Sequence, residues 1–363
     1  MDFQLMRRFA AWMPVVYVNS VVMRRLNVGE GRMFMTRFAR KARSIGRGLT
    51  CVAPRFHVYS PATLPVHYVP GLRRVNRHLL LEQVRLILRR LQLHRPLVWV
   101  VCPAACDVAL ALPRAALVYQ RSDRFEEYPG VDADQVIEWD GKLKRLADVT
   151  FYANRKLIGE EESQCRRAVF LDHGVDFERF ASTTDRPDVP PDVEHLSHPV
   201  IGYFGDIDAK IVNVPLLLEI GRRMPDCQFV FVGTSTVDTR ALAERVNVTM
   251  IPRQPYERIA DYGKCFDVAI MPFHRNSWIE VCNPIKLKEY LALGKPVVST
   301  PFSELTHYDG QVYRALTAAE WEAAIRLALE EDSVERAAAR QARVRPYSWE
   351  SRAQMALESL GLR

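Results

Sequence analysis

NPIKLKEYLALGKPVVST, residues 283–300, is the stretch of sequence that decides the fold of this chain. Asn283 is a good N-cap, and Pro284 suits the first position of a helix because its missing N–H costs nothing there. The apolar residues that follow recur at helical spacing: Leu287, Tyr290, Leu291 and Leu293. Gly294 predicts a left-handed end to this helix, and residues 296–298 predict a buried strand directly after it.

Lys286 and Glu289 lie three residues apart, so they share one face near the start of the predicted helix. Free N–H groups, the positive end of the helix dipole and a lysine together predict an anion site. A carboxylate further along can accept two hydrogen bonds from a vicinal diol, and a diphosphate beside a ribose is the shape of a nucleotide-sugar. The alternative is an exposed ion pair on an ordinary helix, worth roughly a few tenths of a kcal/mol.

The whole stretch resembles the P-x-K-x-x-E-Y-x-A-x-G-K-P-V-V segment of GT-B glycosyltransferases, especially the retaining family 4 type and the bacterial exopolysaccharide and teichuronic acid transferases. The resemblance implies that Lys286 contacts the donor diphosphate and Glu289 the ribose hydroxyls. Three residues complete the implied donor-binding turn: Asn283, Pro284 and Ile285. One position departs from the family, since Val281 stands where many members have a second glutamate.

The resemblance also implies an α/β fold of the GT-B class, with two Rossmann-like domains facing across a cleft that holds the ligand. The expected donor substrate is a UDP- or GDP-sugar, with no tightly bound cofactor and no metal required. No phosphate-binding loop of the Walker type, no G-x-S-x-G elbow and no H-E-x-x-H motif is present in the sequence, which disfavours kinases, serine hydrolases and zinc proteases.

The composition is that of a globular protein of two domains, with 363 residues, 48% hydrophobic and 26% charged. No apolar run approaches the roughly 20 residues of a membrane span, and no signal peptide is predicted. The seven cysteines form no CxxC pair or Cys/His cluster. They predict reduced thiols, a cytoplasmic location and no structural zinc.

The positive charge is concentrated near the N-terminus, where residues 1–100 hold 18 Lys/Arg and only 3 Asp/Glu. No nucleic-acid recognition motif accompanies this charge, so nucleic acid is not an expected partner. An anionic membrane surface is favoured, because residues 33–49 place apolar side chains at helical spacing among arginines. The alternative is a solvated helix whose apolar stripe packs on the core.

Strand and helix signals alternate along the chain, which predicts parallel sheets. The predicted strands lie at 15–21, 97–102, 116–120, 149–153, 168–171, 200–205, 228–233, 248–251, 266–273 and 296–298. The predicted helices, besides that of the opening stretch, lie at about 73–93, 133–146, 216–224, 317–343 and 348–360.

A segment rich in Pro and Asp predicts the domain boundary. The predicted parts are an N-terminal Rossmann-like acceptor domain (1–182), a linker (183–199), a C-terminal donor domain (200–345) and a terminal helix packing back on the first domain (346–363). The first domain departs from a Rossmann pattern, because the chain opens with the helix-like FQLMRRFAAW in place of a strand. Two interpretations stay open: the first strand is absent, or the true start lies upstream of Met1.

The motif IGYFGDID, residues 201–208, resembles the first strand and turn of a donor-binding domain, where Gly205 lets free amides approach a phosphate. Asp206 and Asp208 spell D-x-D, a metal–diphosphate motif of the other transferase fold class, and we interpret the match as coincidence. Lys210 is either a second cation for the diphosphate or a surface lysine.

The loop PFHRNSW, residues 272–278, follows a predicted strand at its carboxyl end, where functional groups collect. Arg275 and Asn276 resemble the polar loop that faces the donor in relatives. Arg275 is predicted to stabilise the leaving diphosphate, and His274 and Asn276 to contact the sugar. As a single histidine, His274 is also compatible with a structural role.

Two first-half segments resemble cleft-facing elements of the same transferases. In YQRSDRFEEYPG, residues 119–130, Asp123 is predicted to contact the sugar or the acceptor hydroxyl. It would be the general base if the enzyme inverts configuration, and a helix N-cap is the alternative. In LDHGVDFERF, residues 171–180, His173 is predicted to line the cleft.

The expected function is transfer of a hexose from a nucleotide-sugar to a glycan acceptor, with retention of configuration, in cell-surface polysaccharide biosynthesis. The acceptor is expected to be lipid-linked and the protein peripheral on the inner face of the membrane. Two alternatives stay open: a nucleotide-sugar 2-epimerase of the same fold, and a catalytically silent GT-B subunit that binds a partner enzyme.

Overall fold

The computed structural model of this protein describes residues 2–19, 48–63, 70–182 and 189–362, without the side chains of residues 70 and 71. Most of the basic segment 33–49 and residues 183–188 of the predicted linker therefore lie outside the described residues. The chain divides into two compact units. Unit 1 comprises Met1–Asp172 with Arg352–Arg363, and unit 2 comprises His173–Ser351.

Unit 1 contains two sheets. The first is three-stranded, with the order β1-β3-β2 and β1 parallel to β3, from β1 (Val15–Val18), β2 (Leu49–Ala53) and β3 (Phe56–Tyr59). The second is parallel, in the order β4 (Leu97–Val100), β5 (Ala116–Arg121), β6 (Val149–Tyr152) and β7 (Ala168–Phe170). The helices of unit 1 are α1 (Asp2–Phe9), α2 (Pro70–Arg90), α3 (Cys106–Ala111), α4 (Ala133–Leu146) and α5 (Arg155–Glu161).

A buried charge network closes the carboxyl end of β5 in unit 1. Arg121 is only 1% exposed, and its two terminal nitrogens donate to the two oxygens of Glu126 at 2.9 Å each. Arg121 also pairs with Glu161 at 3.1 Å. Lys144 joins the network by contacting Asp140 at 2.6 Å and Glu161 at 2.7 Å. Each buried charge therefore has partners of opposite sign, without which its burial would be costly.

Unit 2 is built on one parallel sheet of six strands in the order β10-β9-β8-β11-β12-β13. The strands are β8 (Val200–Phe204), β9 (Gln228–Val232), β10 (Val248–Ile251), β11 (Val268–Met271), β12 (Val297–Ser299) and β13 (Val312–Arg314). The central strands are buried along their whole length, as expected of a parallel sheet covered on both faces. Because all strands run the same way, their carboxyl ends lie at one edge.

The helices of the second half are α6 (Phe177–Ala181), α7 (Val214–Arg223), α8 (Arg240–Ala243), α9 (Tyr256–Lys264), α10 (Ser277–Glu280), α11 (Ile285–Ala292), α12 (Ala318–Glu331), α13 (Val334–Val344) and α14 (Trp349–Ser359). Short 3₁₀ turns occur at Pro103–Ala105, Phe125–Glu127, Glu162–Gln164, Ser303–Tyr308 and Arg345–Tyr347. The terminal helix α14 starts in unit 2 and continues into unit 1 at Arg352.

The predicted alternation of strands and helices is confirmed, with β1 and β4–β12 falling at predicted positions. Nine of the described helices and strands had no counterpart in the prediction: β2, β3, β13, α3, α5, α6, α8, α9 and α10. Strand β2 has three exposed residues in five, so no alternation of apolar and polar side chains reveals it. The division between units falls after Asp172, earlier than the predicted boundary at 182. Among the described residues, no helix combines the length and apolar character needed to cross a bilayer.

Candidate functional site

Helix α11 starts one residue later than its sequence suggests. Pro284 occupies the N-cap with extended backbone (φ −72°, ψ 125°), and the helix begins at Ile285. Asn283 was predicted as the N-cap, which is wrong, because its side-chain oxygen turns inward and accepts a hydrogen bond from Lys288 Nζ at 3.1 Å. Lys288 is fully buried, so the Asn283–Lys288 pair fixes the turn that precedes the helix.

The opposite end of α11 is closed as the sequence predicts. Gly294 has φ +77°, the left-handed conformation that glycine adopts without strain. Its N–H donates to Leu291 O, and the N–H of Lys295 donates to Tyr290 O, both at 3.0 Å. These two bonds form a Schellman motif, which satisfies carbonyls left over at the helix end. Arg340 from α13 adds a bond to Gly294 O at 2.8 Å.

Lys286 extends from the first turn of α11 to the carboxyl end of β8. Its Nζ donates a hydrogen bond to Tyr203 Oη at 2.7 Å and lies 4.2 Å from the centroid of the same ring. Phe273, after β11, contributes a second ring, whose centroid lies 5.6 Å from the same Nζ. Two aromatic faces and one hydroxyl thus hold a cation next to the N-terminus of a helix, where an anion is favoured.

Two glycines leave the space in which this cation sits. Gly205 follows β8 with φ +134°, and a Cβ added there would lie 2.6 Å from Lys286 Nζ. Gly233 follows β9, and a Cβ added there would lie 2.2 Å from Gly205 O. The N–H of Gly205 donates to Val232 O at 2.9 Å, so it supports the turn and not an anion. Gly205 therefore leaves room for the close approach of Lys286. The approach of the other amides of this turn to a phosphate stays a prediction.

Glu289 lies one turn further along α11 and is 7% exposed. Burial raises the pKa of its carboxyl to about 7, while the hydrogen bond from Tyr256 and the charge of Lys286 act in the opposite direction. Tyr256 Oη donates to Glu289 Oε1 at 3.1 Å. The Tyr256 ring is itself contacted by Arg179, whose guanidinium lies 5.7 Å from its centroid. Glu289 is thus held in place by Tyr256 and can titrate near neutral pH.

The D-x-D carboxylates are occupied in shaping the turn after β8. Asp206 accepts hydrogen bonds from the hydroxyl of Thr234 at 2.6 Å and from its N–H at 3.3 Å. Asp208 accepts from the backbone N–H groups of Lys210 at 2.9 Å and Ile211 at 3.1 Å. Within the described part of the chain, no three His, Cys, Asp or Glu side chains cluster so that they could hold a metal ion.

The loop after β11 packs beside this turn and brings three predicted residues near Lys210. The N–H of His274 donates to Ile211 O at 2.8 Å. Asn276 caps α10 by accepting from the N–H of Ile279 at 2.8 Å, and its amide donates to Lys210 O at 2.8 Å. Arg275 is exposed and forms no hydrogen bond or ion pair with any residue that the structure describes. Of this loop, Arg275 has the side chain with the greatest capacity to bind an anion.

The remaining two candidates lie apart in sequence from this group. Asp123 belongs to unit 1, where its carboxylate accepts from the N–H of Arg124 at 3.0 Å and from Tyr128 Oη at 2.9 Å. These bonds shape the turn before the 3₁₀ segment Phe125–Glu127, whose N-cap is Arg124, so the N-cap alternative for Asp123 is wrong. Contact of Asp123 with substrate stays a prediction. His173 is 7% exposed at the first position of unit 2. The next residue, Gly174, faces Trp349 so closely that a Cβ would lie 2.5 Å from its ring.

Three tyrosines support the site in a way that the sequence did not predict: Tyr203, Tyr256 and Tyr290. Tyr203 and Tyr290 are fully buried, and their positions in a strand and on an apolar helix face are those of ordinary core residues. Tyr290 Oη accepts from the N–H of Phe204 at 3.0 Å, which joins α11 to the end of β8. Only the placement of their hydroxyls separates them from core aromatics, and no sequence signal reports that placement.

Together these residues form a surface with two chemical capacities. Lys286 and the first N–H groups of α11 can bind an anion, and exposed Arg275 adds a cation after a neighbouring strand. Glu289 can accept hydrogen bonds from a pair of hydroxyls. All of them lie beyond the carboxyl ends of the strands of one parallel sheet, which is where open α/β sheets bind ligands.

Comparison with known families matches residues 198–331 to the family described as "Glycosyl transferases group 1". The matched region contains β8–β13 and the whole of the site in unit 2. A curated relative is TuaH of Bacillus subtilis (strain 168), named as a teichuronic acid biosynthesis glycosyltransferase. It is 30% identical over 135 residues, which are 36% of this chain. The matched residues span about a third of that relative's length.

Solved structures resemble the chain over nearly its full length. Sucrose-phosphate synthase from Thermosynechococcus elongatus has a TM-score of 0.70 at 14% identity, covering 96% of this chain and 99% of that chain. HepE from Anabaena, in complex with UDP, has a TM-score of 0.66 at 12% identity, covering 99% and 95%. At such identities the likeness concerns the fold, which is that of the GT-B class.

Proposed function

We propose that this protein transfers a sugar from a nucleotide-sugar to an acceptor, because residues 198–331 match the glycosyl transferases group 1 family and the chain has the GT-B fold. The observation that carries the proposal is the placement of Lys286 and Glu289 at one edge of the sheet of unit 2. Lys286 lies at the start of α11 against Tyr203, and Glu289 lies one turn further in against Tyr256. Lys286 and Glu289, three residues apart on one helix face, are assigned to the diphosphate and to the ribose beside it.

The proposed donor is a UDP-sugar. Support comes from HepE from Anabaena, which was solved in complex with UDP and with UDP-glucose. The ribose 2′- and 3′-hydroxyls donate to the Glu289 carboxylate, and the diphosphate binds at Lys286 and the N-terminus of α11. Asn283, Pro284 and Ile285 form the turn beneath the phosphates, and Lys210 and Arg275 supply further positive charge. No metal is assigned to this reaction.

Chemically, the bond between the anomeric carbon and the diphosphate oxygen breaks, and the acceptor hydroxyl oxygen forms the new bond. Negative charge develops on the leaving diphosphate, and Lys286 is already held where it would stabilise that charge. In a retaining reaction the hydroxyl proton passes to the departing phosphate oxygen, and no dedicated base is required. We favour retention on the resemblance of the 283–300 segment to retaining transferases. Asp123 is the candidate base if the configuration inverts.

The proposal for the acceptor rests on the likeness of 36% of this chain to TuaH. We propose a lipid-linked glycan of a cell-surface polysaccharide as the acceptor, with unit 1 recognising it and the protein working peripherally at the cytoplasmic face of a membrane. His173, His274 and Asn276 are assigned to the sugar or the acceptor.

A thermal-shift screen with UDP, GDP, ADP and CMP tests the donor first. We expect UDP to raise the melting temperature, because binding to the folded state alone stabilises it. No shift with any of the four nucleotides contradicts the donor site and favours the catalytically silent subunit. Products formed from the UDP-sugar without any acceptor indicate the 2-epimerase instead.

Lys286→Ala tests the catalytic assignment. We expect the variant to fold and to lose about 100- to 1,000-fold in kcat, the usual cost of removing one group that stabilises developing charge. Lys142→Ala is the matched control, since Lys142 is an exposed helical lysine of unit 1 paired with Glu138 at 2.5 Å. Transfer by Lys286→Ala at the rate of Lys142→Ala would refute the role of Lys286.

A further inference from the structure

Helix α2 has a second apolar stripe that the described residues of unit 1 leave exposed. Its buried side packs into the core through Leu80, Leu81, Val84 and Leu88. On its outer side, Val75, Leu79 and Leu86 are 45%, 41% and 64% exposed. At 3.6 residues per turn these three fall within a sector of about 40°, so they form one line along the helix. Exposed apolar residues scattered singly are ordinary, but an aligned set on one helix is not.

The charges on α2 are almost all positive. The helix contains six arginines and one glutamate, and that glutamate, Glu82, pairs with Arg85 at 2.7 Å. Arg89 and Arg90 are exposed on either side of the apolar stripe, and Arg74 is exposed near its start. Among the residues that the structure describes, these three arginines form no ion pair. The stripe is therefore bordered by cations that are available to an external anion.

We propose that this face of α2 binds the surface of an anionic lipid bilayer. An interfacial helix of this kind places apolar side chains at the boundary of headgroups and acyl chains while its arginines contact lipid phosphates. The guanidinium group suits this task, because it binds phosphate through two parallel hydrogen bonds.

Lipid fits this face better than the other anionic or apolar partners. A nucleic acid would satisfy the arginines but leave the leucines in water. A stable protein interface buries on the order of 800 Å² on each side and is anchored by aromatic residues, whereas this stripe is narrow and has none. The expected membrane segment at 33–49 lies mostly outside the described residues, so α2 is a separate assignment.

This inference deepens the proposed function, because it says how a protein acting on a lipid-linked acceptor would reach it. It can nevertheless be tested without donor, acceptor or turnover. The Lys286→Ala variant should bind vesicles as the unmodified protein does. Failure of vesicle binding and failure of the donor site are thus separate results.

The experiment is co-sedimentation of the full chain with vesicles of phosphatidylcholine containing 30% phosphatidylglycerol, and with phosphatidylcholine alone. We expect binding only to the anionic vesicles, and binding that weakens as salt increases. The triple variant Arg74→Gln/Arg89→Gln/Arg90→Gln should lower the partition coefficient on the order of 100-fold, because each arginine near an anionic surface contributes about fivefold. Leu79→Gln/Leu86→Gln should lower it about tenfold, because less apolar area is buried.

Matched controls distinguish an effect of this face of α2 on vesicle binding from an effect of the total charge or the total apolar content. Arg166, Arg222 and Arg240 are exposed arginines elsewhere, each paired with a carboxylate, and their triple glutamine variant removes the same net charge. Val246 and Val334 are 100% and 82% exposed, and their double glutamine variant is the control for the leucines. Circular dichroism of every variant confirms that it folds.

Three results would overturn the proposal. The first is no binding to the anionic vesicles. The second is an equal loss of binding in a control variant and its α2 counterpart. The third is unchanged binding by the leucine variant, which would mean adsorption by charge alone. Self-association that the leucine changes abolish, without vesicle binding, would assign the face to a protein partner instead.

Discussion

Replacing Glu289 by glutamine should make the protein more stable and a poorer binder of nucleotide at the same time. Glutamine keeps the shape and can still accept the hydrogen bond from Tyr256, but it removes the buried charge. The pKa of this carboxyl is raised by burial from 4.5 to about 7. The folded state therefore holds a proton that the unfolded chain releases between these two values.

The sign and size of the stability effect follow from this difference in pKa. The proton on Glu289 contributes to the free energy of unfolding. This contribution is fully present below pH 4.5 and is lost as the pH rises through about 7. Each pKa unit corresponds to about 1.4 kcal/mol. Relative to glutamine, the wild-type side chain should thus cost about 1 kcal/mol at pH 5 and about 3 kcal/mol at pH 8. For a unit of this size, about 3 kcal/mol corresponds to a rise of roughly 6–12 °C in melting temperature.

Binding should change in the opposite direction. The ionised carboxylate can accept from both ribose hydroxyls, and hydrogen bonds to a charged group contribute about 1.5–3 kcal/mol. The affinity of Glu289→Gln for UDP at pH 8 should therefore be about 10- to 100-fold lower than that of the wild type. Because the diphosphate also titrates near pH 6, the informative quantity is the ratio of the two dissociation constants, which should shrink as the pH falls below 7.

Denaturant unfolding at pH 5 and pH 8 measures the stability difference, and calorimetric titration with UDP measures the affinity. Repeating the titration in buffers of different ionisation enthalpy counts the protons that are released when UDP binds. Near pH 6.5 the wild type should release more protons than the variant. The stability that Glu289→Gln gains over the wild type should be larger at pH 8 than at pH 5. An equal gain at the two pH values would refute the burial argument. Unchanged affinity for UDP would refute the ribose contact, whatever the stability result.

Three further predictions concern the surroundings of the site and unit 1. Tyr203→Phe keeps the ring but removes the hydroxyl bonded to Lys286 at 2.7 Å, so kcat should fall about fivefold with little change in UDP affinity. Gly205→Ala should cost about 1–3 kcal/mol of stability and also most of the turnover, because φ is +134° and the added methyl lies against Lys286 Nζ. Arg121→Met should lower the free energy of unfolding by about 3–5 kcal/mol by leaving buried carboxylates without their partner.

Each of these three has a matched control and a contradicting outcome. Tyr262→Phe removes a hydroxyl bonded to Asp192 at 2.8 Å and should leave kcat unchanged. Gly310→Ala adds a methyl at φ +77° where nothing lies within 4 Å, so it tests backbone strain alone. Arg124→Met breaks a more exposed pair and should cost less than about 1 kcal/mol. Equal effects in a variant and its control would contradict the specific contact claimed for that variant.

The candidate site was predicted from sequence where local spacing alone decides the geometry. Lys286 and Glu289 are three residues apart on one helix, so they share a face in any fold that contains that helix. Gly294 is similarly local, and its left-handed cap is confirmed. The prediction of Asn283 as N-cap was wrong because a buried lysine from the same helix competes for its side chain.

The sequence by itself determined the alternation of strands and helices, the helix of 283–300 and the positions of its charged residues, since these depend on periodicity and capping between near neighbours. Only the tertiary structure decided what surrounds them. Tyr203 is 83 residues from Lys286, and Tyr256 is 33 residues from Glu289. Such contacts depend on how strands are ordered in the sheet and how closely Gly205 lets a side chain approach, and neither leaves a pattern along the chain.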